Sequence, residues 1–229
     1  MWEHWTSYRL CRIRGLTMAR DREPSVNLLL YRLFKFSVVA PALRFYFQGR
    51  IYGADQVPMT GKLIVVANHA SDFDPPLLSS AVGRPVSYMA KEELFQVPVL
   101  RQAIQLYGAY PVKRGSADRS AIRSALQQLE QGWAVGIFLQ GTRTADARIP
   151  SPKIGAALIA AKAQAALLPV SLWGTQGILL KGSILPRPVR LTIRIGTPIP
   201  PPPSTDREQL DAVTAKCTEA IHRLHDLGR

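Results

Sequence analysis

Residues 63–76 have the sequence LIVVANHASDFDPP, which is the strongest indication of the fold. The apolar, largely β-branched run Leu63–Ala67 predicts a buried strand. The pair Pro75-Pro76 predicts the start of a helix, because proline fits the first helical turn. A strand that passes through a short loop into a helix is typical of an α/β sheet, and such sheets bind ligands at the carboxyl ends of their strands. The intervening loop is therefore the first candidate for a functional site.

His69 and Asp74 stand near the two ends of this loop. A free imidazole titrates at about 6.5, so near pH 7 much of it is neutral and can take up a proton. A carboxylate that accepts the hydrogen of one ring nitrogen fixes the tautomer and leaves the other nitrogen as an acceptor. The pair is thus a candidate general base with its orienting partner. The spacing also allows a purely local role, with Asp74 as a helix cap, and it allows Asp72 as the partner of His69.

Composition limits the partners of the chain. It has 229 residues, of which 47% are hydrophobic, which suits one α/β domain and is too many for a disordered chain. Lys and Arg number 29 against 16 Asp and Glu, a formal net charge of +13. This excess predicts an anionic partner, whether a lipid surface, an acidic carrier protein or nucleic acid. The two cysteines, Cys11 and Cys217, exclude a disulfide framework and fit a reducing compartment.

Strand-like and helix-like segments alternate after residue 62. Strand patterns occur at residues 86–90, 109–114, 133–139, 167–172 and 189–195, and helical patterns occur at 76–82, 117–131, 156–164 and 206–227. We therefore expect an α/β fold with a mixed, largely central β-sheet and helices on both faces. We divide the chain into an N-terminal helical, membrane-interface segment over residues 1–50 and an α/β domain over residues 51–229.

Residues 26–47 are rich in leucine, phenylalanine and valine. Basic residues and Pro41 interrupt them, so they make a poor transmembrane helix, which needs about 20 mainly apolar residues. One helical face can carry a set of apolar side chains: Leu29, Leu30, Leu33, Phe36 and Ala40. Such a helix suits the headgroup region of an anionic membrane, on its cytoplasmic face, and packing on the domain core is the alternative. Residues 1–22, with Met18 as an alternative start, receive no catalytic role.

Two further strand exits carry basic residues. Arg114 ends the strand pattern at 109–114, and Gly141, Thr142 and Arg143 follow the pattern at 133–139. Glycine lets backbone N–H groups approach a phosphate closely, and arginine can bind a phosphate through two hydrogen bonds. Both exits are candidate phosphate sites, although Arg114 also fits a solvated basic turn. On the final predicted helix, His222 and His225 have no accompanying ligands, so we expect solvated helix surface there and no metal site.

These motifs resemble those of the glycerolipid acyltransferases, which include the 1-acylglycerol-3-phosphate acyltransferases. The first motif of that family is similar to Asn68-His69 with Asp74 five residues after the histidine, and the resemblance covers most of residues 62–199. The third motif of the family, Phe-Pro-Glu-Gly-Thr-Arg-Ser, is similar to residues 138–144. This chain departs from it with Leu139 and Gln140 in place of the family's Pro and Glu.

The resemblance implies transfer of a fatty acyl group from acyl-CoA or acyl carrier protein to lysophosphatidic acid, which gives phosphatidic acid. It implies His69 as general base and Asp74 as its support. A family arginine that contacts the substrate phosphate matches Arg114, and Gly141, Thr142 and Arg143 would share that phosphate. A thioester is already activated, so no nucleophile elbow, metal or cofactor is expected. The neutral Gln140 would leave the site more positive and could change the acceptor.

Three other functions remain open. The first is the same chemistry on another lyso-lipid acceptor. The second is a non-catalytic lipid-binding protein on the same fold, which the intact His69–Asp74 pattern disfavours. The third is a nucleic-acid-binding module, which only the net charge supports, because no zinc-finger or RNA-recognition pattern occurs. We therefore expect lysophosphatidic acid, an acyl thioester and an anionic membrane surface as partners, and no nucleic acid.

Overall fold

One mixed β-sheet forms the centre of the molecule. The computed structural model describes residues 25–96, 101–102, 104, 108–112, 119–179, 183 and 185–229. Arg114 and residues 1–22 lie outside these ranges. The strands of the sheet are β1 (Arg50–Tyr52), β2 (Leu63–Ala67), β3 (Val86–Lys91), β4 (Ala109–Val112), β5 (Ala134–Phe138), β6 (Ala166–Trp173) and β7 (Thr192–Ile195).

The strands lie in the order β1-β7-β6-β2-β5-β3-β4. The neighbours from β6 to β4 are parallel, so their carboxyl ends meet at one edge, which we call the carboxyl edge. β7 runs antiparallel to β6, and β1 runs parallel to β7. The sheet is therefore mixed, as expected. β2 lies in its interior, which explains why all five of its residues are apolar and buried.

Helices cover both faces of the sheet, which confirms the predicted fold class. α1 (Ser25–Phe34) and α2 (Asp74–Val82) precede β3, whereas α3 (Arg119–Glu130), α4 (Gly155–Ala163) and α5 (Arg207–Asp226) follow β4. α2 and the segment after α1 pack on the face that carries Leu63, Val65 and Ala67. α3, α4 and α5 pack on the face that carries Ile64 and Val66. The alternation of side chains along β2 thus divides the core into two layers.

The N-terminal helical segment, residues 25–46, has a buried side and an exposed apolar side. α1 continues through two π-helical turns, Lys35–Val39 and Ala42–Tyr46. Leu43 and the following Phe47 are buried in the core, and the buried Lys35 donates a hydrogen bond from Nζ to the Ser79 carbonyl of α2 at 2.8 Å. Large apolar side chains remain exposed on the other side: Leu29, Leu33, Phe36, Val38 and Phe45. Among the described residues, no helix is both long and apolar enough to cross a bilayer.

Candidate active site

Two loops leave the carboxyl edge side by side. We call residues 68–73 the β2 loop and residues 139–154 the β5 loop. They are neighbours because β2 and β5 are paired, with Ala67 opposite Phe138. A backbone hydrogen bond from Thr144 N to His69 O, at 3.0 Å, joins them beyond the strands. The topology therefore brings together the two sequence motifs that lie about seventy residues apart.

Asp74 holds the imidazole of His69. The Nδ1 atom of His69 lies 2.8 Å from Oδ2 of Asp74. The same oxygen accepts backbone N–H groups from Ala70 at 2.7 Å and Ser71 at 2.8 Å, and the Asp74 side chain is fully buried. Asp74 is the first residue of α2, two residues earlier than the predicted helix start, with Pro75 and Pro76 in the first turn. The amino terminus of this helix favours a negative charge there.

These bonds fix the role of each ring nitrogen. An oxygen that accepts two backbone N–H groups is an acceptor for a third donor as well, so Nδ1 of His69 carries the hydrogen. Nε2 of the neutral ring is then left with its lone pair. The imidazole stacks face to face on Phe138, with ring centroids 4.0 Å apart and planes 13° apart. The side chain of His69 keeps 14% exposure, which leaves an approach to the ring. This arrangement can accept a proton from a bound hydroxyl.

Asn68 anchors the β2 loop, a role that the sequence analysis did not assign. Its side-chain nitrogen donates to Ala147 O and to Leu172 O, both at 2.9 Å, and its oxygen accepts the Leu172 N–H at 2.8 Å. The amide therefore ties the β2 loop to β6 and to the β5 loop at once. Its signal in the sequence is an uncharged polar residue placed between a fully apolar strand and the histidine.

Gln140 binds the other side of the β2 loop. It is buried, and its Nε2 donates to the carbonyl oxygen of His69 at 2.9 Å. Its Oε1 is buried without a hydrogen-bond partner in the described part of the chain. An ionised glutamate could not donate this bond, because it is an acceptor only. Gln140 thus contacts the backbone of His69 directly, which neither the charge argument nor the motif comparison had predicted.

The candidate phosphate-binding residues of the β5 loop are exposed. Gly141 has a φ of 71°, and it turns the chain directly after β5. Arg143 forms an ion pair with Asp72 of the β2 loop, and both side chains are more than half exposed. Asp72, the alternative partner for His69, is therefore engaged by Arg143, while Asp74 contacts the ring. Arg114, the other predicted phosphate ligand, lies outside the described residues.

The two C-terminal histidines differ from the prediction of solvated helix surface. His225 is buried, with Nδ1 3.2 Å from the hydroxyl of Ser171 in β6. His222 accepts the backbone N–H of Ile149 at Nε2, at 3.1 Å. Burial, followed by the Arg148 cation, lowers the pKa of both histidines. The prediction was wrong because Ile149 of the β5 loop binds His222 and β6 buries His225, so the helix face that carries both histidines packs against protein.

Metal chemistry and cysteine chemistry find little support in the described residues near the site. Within the described ranges, no group of three or more His, Cys, Asp or Glu side chains could hold a metal ion. Cys217 is fully buried in the core, and burial raises its pKa to about 12, so its thiol stays protonated near neutral pH. Cys217 is therefore not an available nucleophile.

Known proteins are similar to this chain in sequence and in fold. A family model described as Acyltransferase matches residues 48–173. A chloroplastic 1-acyl-sn-glycerol-3-phosphate acyltransferase of Arabidopsis thaliana is 30% identical over 60% of this chain and 39% of its own length. The 1-acyl-sn-glycerol-3-phosphate acyltransferase of Bacillus subtilis is 28% identical over 77% of this chain and 88% of its own.

A solved structure agrees over nearly the whole chain. The crystal structure of PlsC, the 1-acyl-sn-glycerophosphate acyltransferase of Thermotoga maritima, has a TM-score of 0.72 at 29% identity and covers 96% of this chain and 88% of that one. The chain spans only 39% to 50% of the length of the two plant relatives and the algal relative among the curated matches.

Proposed function

This chain belongs to the acyltransferase family, and from that premise we propose that it acylates 1-acyl-sn-glycerol 3-phosphate to phosphatidic acid. The observation that carries the proposal is the 2.8 Å contact between His69 Nδ1 and a buried Asp74 carboxylate. That contact leaves one lone pair of the ring at the edge of the sheet where ligands bind in α/β folds. The similar acyltransferases of Arabidopsis thaliana and Bacillus subtilis are named for the acceptor 1-acyl-sn-glycerol 3-phosphate, which we take as the acceptor here.

In this mechanism His69 is the general base. Its Nε2 takes the proton of the acceptor hydroxyl as that oxygen attacks the carbonyl carbon of the acyl thioester. The C–S bond then breaks, and the imidazolium returns the proton to the departing thiolate. Asp74 stabilises the imidazolium and keeps the tautomer. General-base assistance contributes roughly 10²–10⁴-fold, so positioning of both substrates must supply much of the remaining acceleration.

The acceptor phosphate would bind to the β5 loop and to Arg114. Arg143 supplies two parallel N–H donors, and Thr142 would supply its backbone N–H group next to it. Gly141 would contribute the turn that lets the phosphate approach the loop closely, because its own N–H is donated to Phe138 O at 3.0 Å. The phosphate must compete with Asp72 for Arg143. An exposed ion pair of this kind contributes only about 0–1 kcal/mol, so a phosphate carrying up to two negative charges can displace the carboxylate. The Asp72–Arg143 pair would then keep the arginine near its bound position in the absence of substrate.

We place the N-terminal helical segment on an anionic membrane surface, at the cytoplasmic face. Its exposed side combines large apolar residues, such as Leu29 at 66% and Phe45 at 75% exposure, with the basic residues Arg32 and Arg44. This combination is typical of helices that lie in the headgroup region. A protein seated in this way would take its lipid acceptor from the membrane and its acyl donor, acyl-CoA or acyl carrier protein, from solution.

An acyl-transfer assay tests the proposal. The purified chain would be given radiolabelled acyl-CoA or acyl carrier protein with each of four acceptors: lysophosphatidic acid, lysophosphatidylcholine, lysophosphatidylethanolamine and lysophosphatidylglycerol. We expect phosphatidic acid as the main product, because only lysophosphatidic acid presents an unsubstituted phosphate to Arg143. A preference for another acceptor would assign the same chemistry to a different lipid. Lipid binding without product on any acceptor would favour a non-catalytic role.

A further inference from the structure

Four arginines gather where β1 and β7 meet the end of α5. β1 and β7 are paired so that Arg50 lies opposite Thr192 and Tyr52 lies opposite Arg194. Arg190 lies two residues before β7, and its charge acts on Arg229. Arg229 follows α5, and one of its terminal nitrogens lies 3.5 Å from Gln48 O. We call Arg50, Arg190, Arg194 and Arg229 the arginine cluster.

Among the described residues, the arginine cluster has no acidic partner. In the described part of the chain no carboxylate pairs with any of the four, whereas Arg143, Arg148, Arg207 and Arg223 each do. The guanidinium of Arg194 lies over the ring of Tyr52, 4.4 Å from its centroid. Desolvation, followed by the Arg50 and Arg190 cations, lowers the pKa of Arg229. Like charges therefore lie close together, and a bound anion would reduce the repulsion between them.

The position of the cluster relates it to both parts of the proposed enzyme. Because β7 is antiparallel to β6, with Thr192 opposite Trp173, the amino ends of β7 and β1 lie at the carboxyl edge. β1 lies three strands from β2, or about 14 Å at the usual strand spacing. The N-terminal helical segment enters β1 at this same edge. The exposed side chains beside this entry include Phe45, Tyr46 and Leu185, and the Tyr46 hydroxyl donates to Pro186 O at 2.6 Å.

We propose that the arginine cluster binds the phosphate of an anionic phospholipid headgroup at the membrane surface. Guanidinium groups bind phosphate oxygens in pairs, and exposed Arg50 and Arg190 are the two members with most freedom to do so. Aromatic and apolar side chains beside a basic cluster are the combination expected at a headgroup layer. This inference rests on the membrane placement in the proposed function and is independent of the acyl-transfer chemistry.

Sedimentation with vesicles tests the inference. Binding would be measured to phosphatidylcholine vesicles and to vesicles with phosphatidylglycerol as about a third of the lipid. The test variant is the double substitution Arg50→Gln/Arg190→Gln. Its matched control, Arg119→Gln/Arg123→Gln, removes the same charge from exposed positions on α3, which packs near β4 at the far end of the sheet. Thermal melting of each variant would verify that the fold is intact.

We expect the test variant to lose about 5-fold in affinity for anionic vesicles per arginine, hence roughly 25-fold for the pair. The control should stay within about 3-fold, because it lies beyond a Debye length from the cluster. Equal losses in both variants would show a bulk charge effect and overturn the site. Loss of vesicle binding in millimolar glycerol 3-phosphate would overturn the lipid assignment in favour of a soluble phosphate.

An activity measurement separates this inference from the proposed function. The Arg50→Gln/Arg190→Gln variant should acylate detergent-dispersed lysophosphatidic acid at the wild-type rate, because no vesicle is needed there. A wild-type protein that binds anionic vesicles selectively but transfers no acyl group would contradict the function and retain the lipid site. A wild-type protein that acylates lysophosphatidic acid but binds both vesicle types equally would support the function and contradict the lipid site.

Discussion

Two histidine sites lie at the carboxyl edge of the same sheet, and they differ in what each ring faces. His69 is bound on one side by a buried carboxylate and keeps 14% exposure on the other. His225 is buried against the hydroxyl of Ser171, and the neighbouring His222 accepts a backbone N–H group. Both sites contain an imidazole with a polar partner. His69 presents its second ring nitrogen at the edge where ligands bind, whereas the second site uses one nitrogen of each ring to contact protein groups.

This difference in partners and exposure distinguishes a catalytic histidine from a structural one. A carboxylate partner stabilises an imidazolium, so the ring can change charge during a reaction. A hydroxyl or backbone partner in a buried setting favours the neutral ring, because desolvation penalises the charged form. We therefore expect substitutions at His69 to change the rate and substitutions at His222 and His225 to change stability. The following predictions test that division, beginning with the largest effect.

His69→Ala should lower kcat by roughly 10²–10⁴-fold, because it removes the proposed general base. The protein should stay folded, with a loss of about 1–3 kcal/mol in the free energy of unfolding, because the buried Asp74 loses one partner but keeps its two backbone N–H donors. Steady-state acylation of lysophosphatidic acid, together with urea unfolding, measures both quantities. His222→Gln is the matched control and should keep kcat within about 3-fold of wild type, because it leaves Asp74 and the base in place. A His69→Ala protein that turns over at the wild-type rate would remove the distinction between the two sites.

Arg143→Ala should raise the KM for lysophosphatidic acid by about 10-fold or more, because a hydrogen bond to a charged group contributes about 1.5–3 kcal/mol. kcat should fall less, since the general base is intact. Arg148→Ala provides the comparison, because Arg148 lies in the same loop and pairs with Asp226. An unchanged KM in Arg143→Ala, or an equal rise in Arg148→Ala, would contradict the assignment of the acceptor phosphate to Arg143.

His225→Ala should lower the free energy of unfolding by about 1–3 kcal/mol, because it leaves the buried Ser171 hydroxyl without its partner. kcat per folded molecule should stay near wild type. Chemical denaturation and the acylation assay on the same sample measure the two effects. Leu227→Ala, a truncation at an exposed position next to the end of α5, should change stability by no more than about 0.5 kcal/mol. A His225→Ala protein of normal stability and low kcat would place His225 with His69.

Acidification should destabilise the protein through the second site. The pKa values of His222 and His225 are lowered from 6.5 in the folded state, so the unfolded chain binds more protons in the interval just below pH 6.5. The free energy of unfolding should therefore fall as the pH is lowered through that interval. His222→Gln, whose amide oxygen can still accept the Ile149 N–H, should show a shallower pH dependence. If stability depended on pH as steeply in His222→Gln as in wild type, protonation of His222 would not contribute to that dependence.

The Gln140→Glu variant should lose activity as the pH rises. Its ionised carboxylate would be buried, and it could not donate a hydrogen bond to the carbonyl oxygen of His69. A protonated glutamate can make the bond, so activity should recover towards acidic pH relative to wild type. The pH profile of kcat, measured for Gln140→Glu and for wild type, tests this. Parallel profiles would mean that the bond from residue 140 does not position His69.

The sequence was sufficient to predict much of this arrangement. The apolar run of β2 and the two prolines at the start of α2 have local causes, and the fold class followed from the alternation of strands and helices. The choice between Asp72 and Asp74 could not be made from spacing, because it depends on the path of the β2 loop. The burial of His225 depends on the packing of α5 against β6. Gln140 stood out as a departure from the family motif, but its bond to the His69 carbonyl depends on the two loops being adjacent in space.

The side-chain hydrogen bonds of Asn68 restrict the motion of the backbone next to His69. Its amide is hydrogen-bonded to β6 and to the β5 loop, so the backbone just before His69 can move only if those bonds open. The first residues after β2 should consequently share the slow amide hydrogen exchange of the central strands, although loops commonly exchange within seconds to minutes. A substrate would then meet an imidazole that is already in place, and any mobile gate must be sought among other segments.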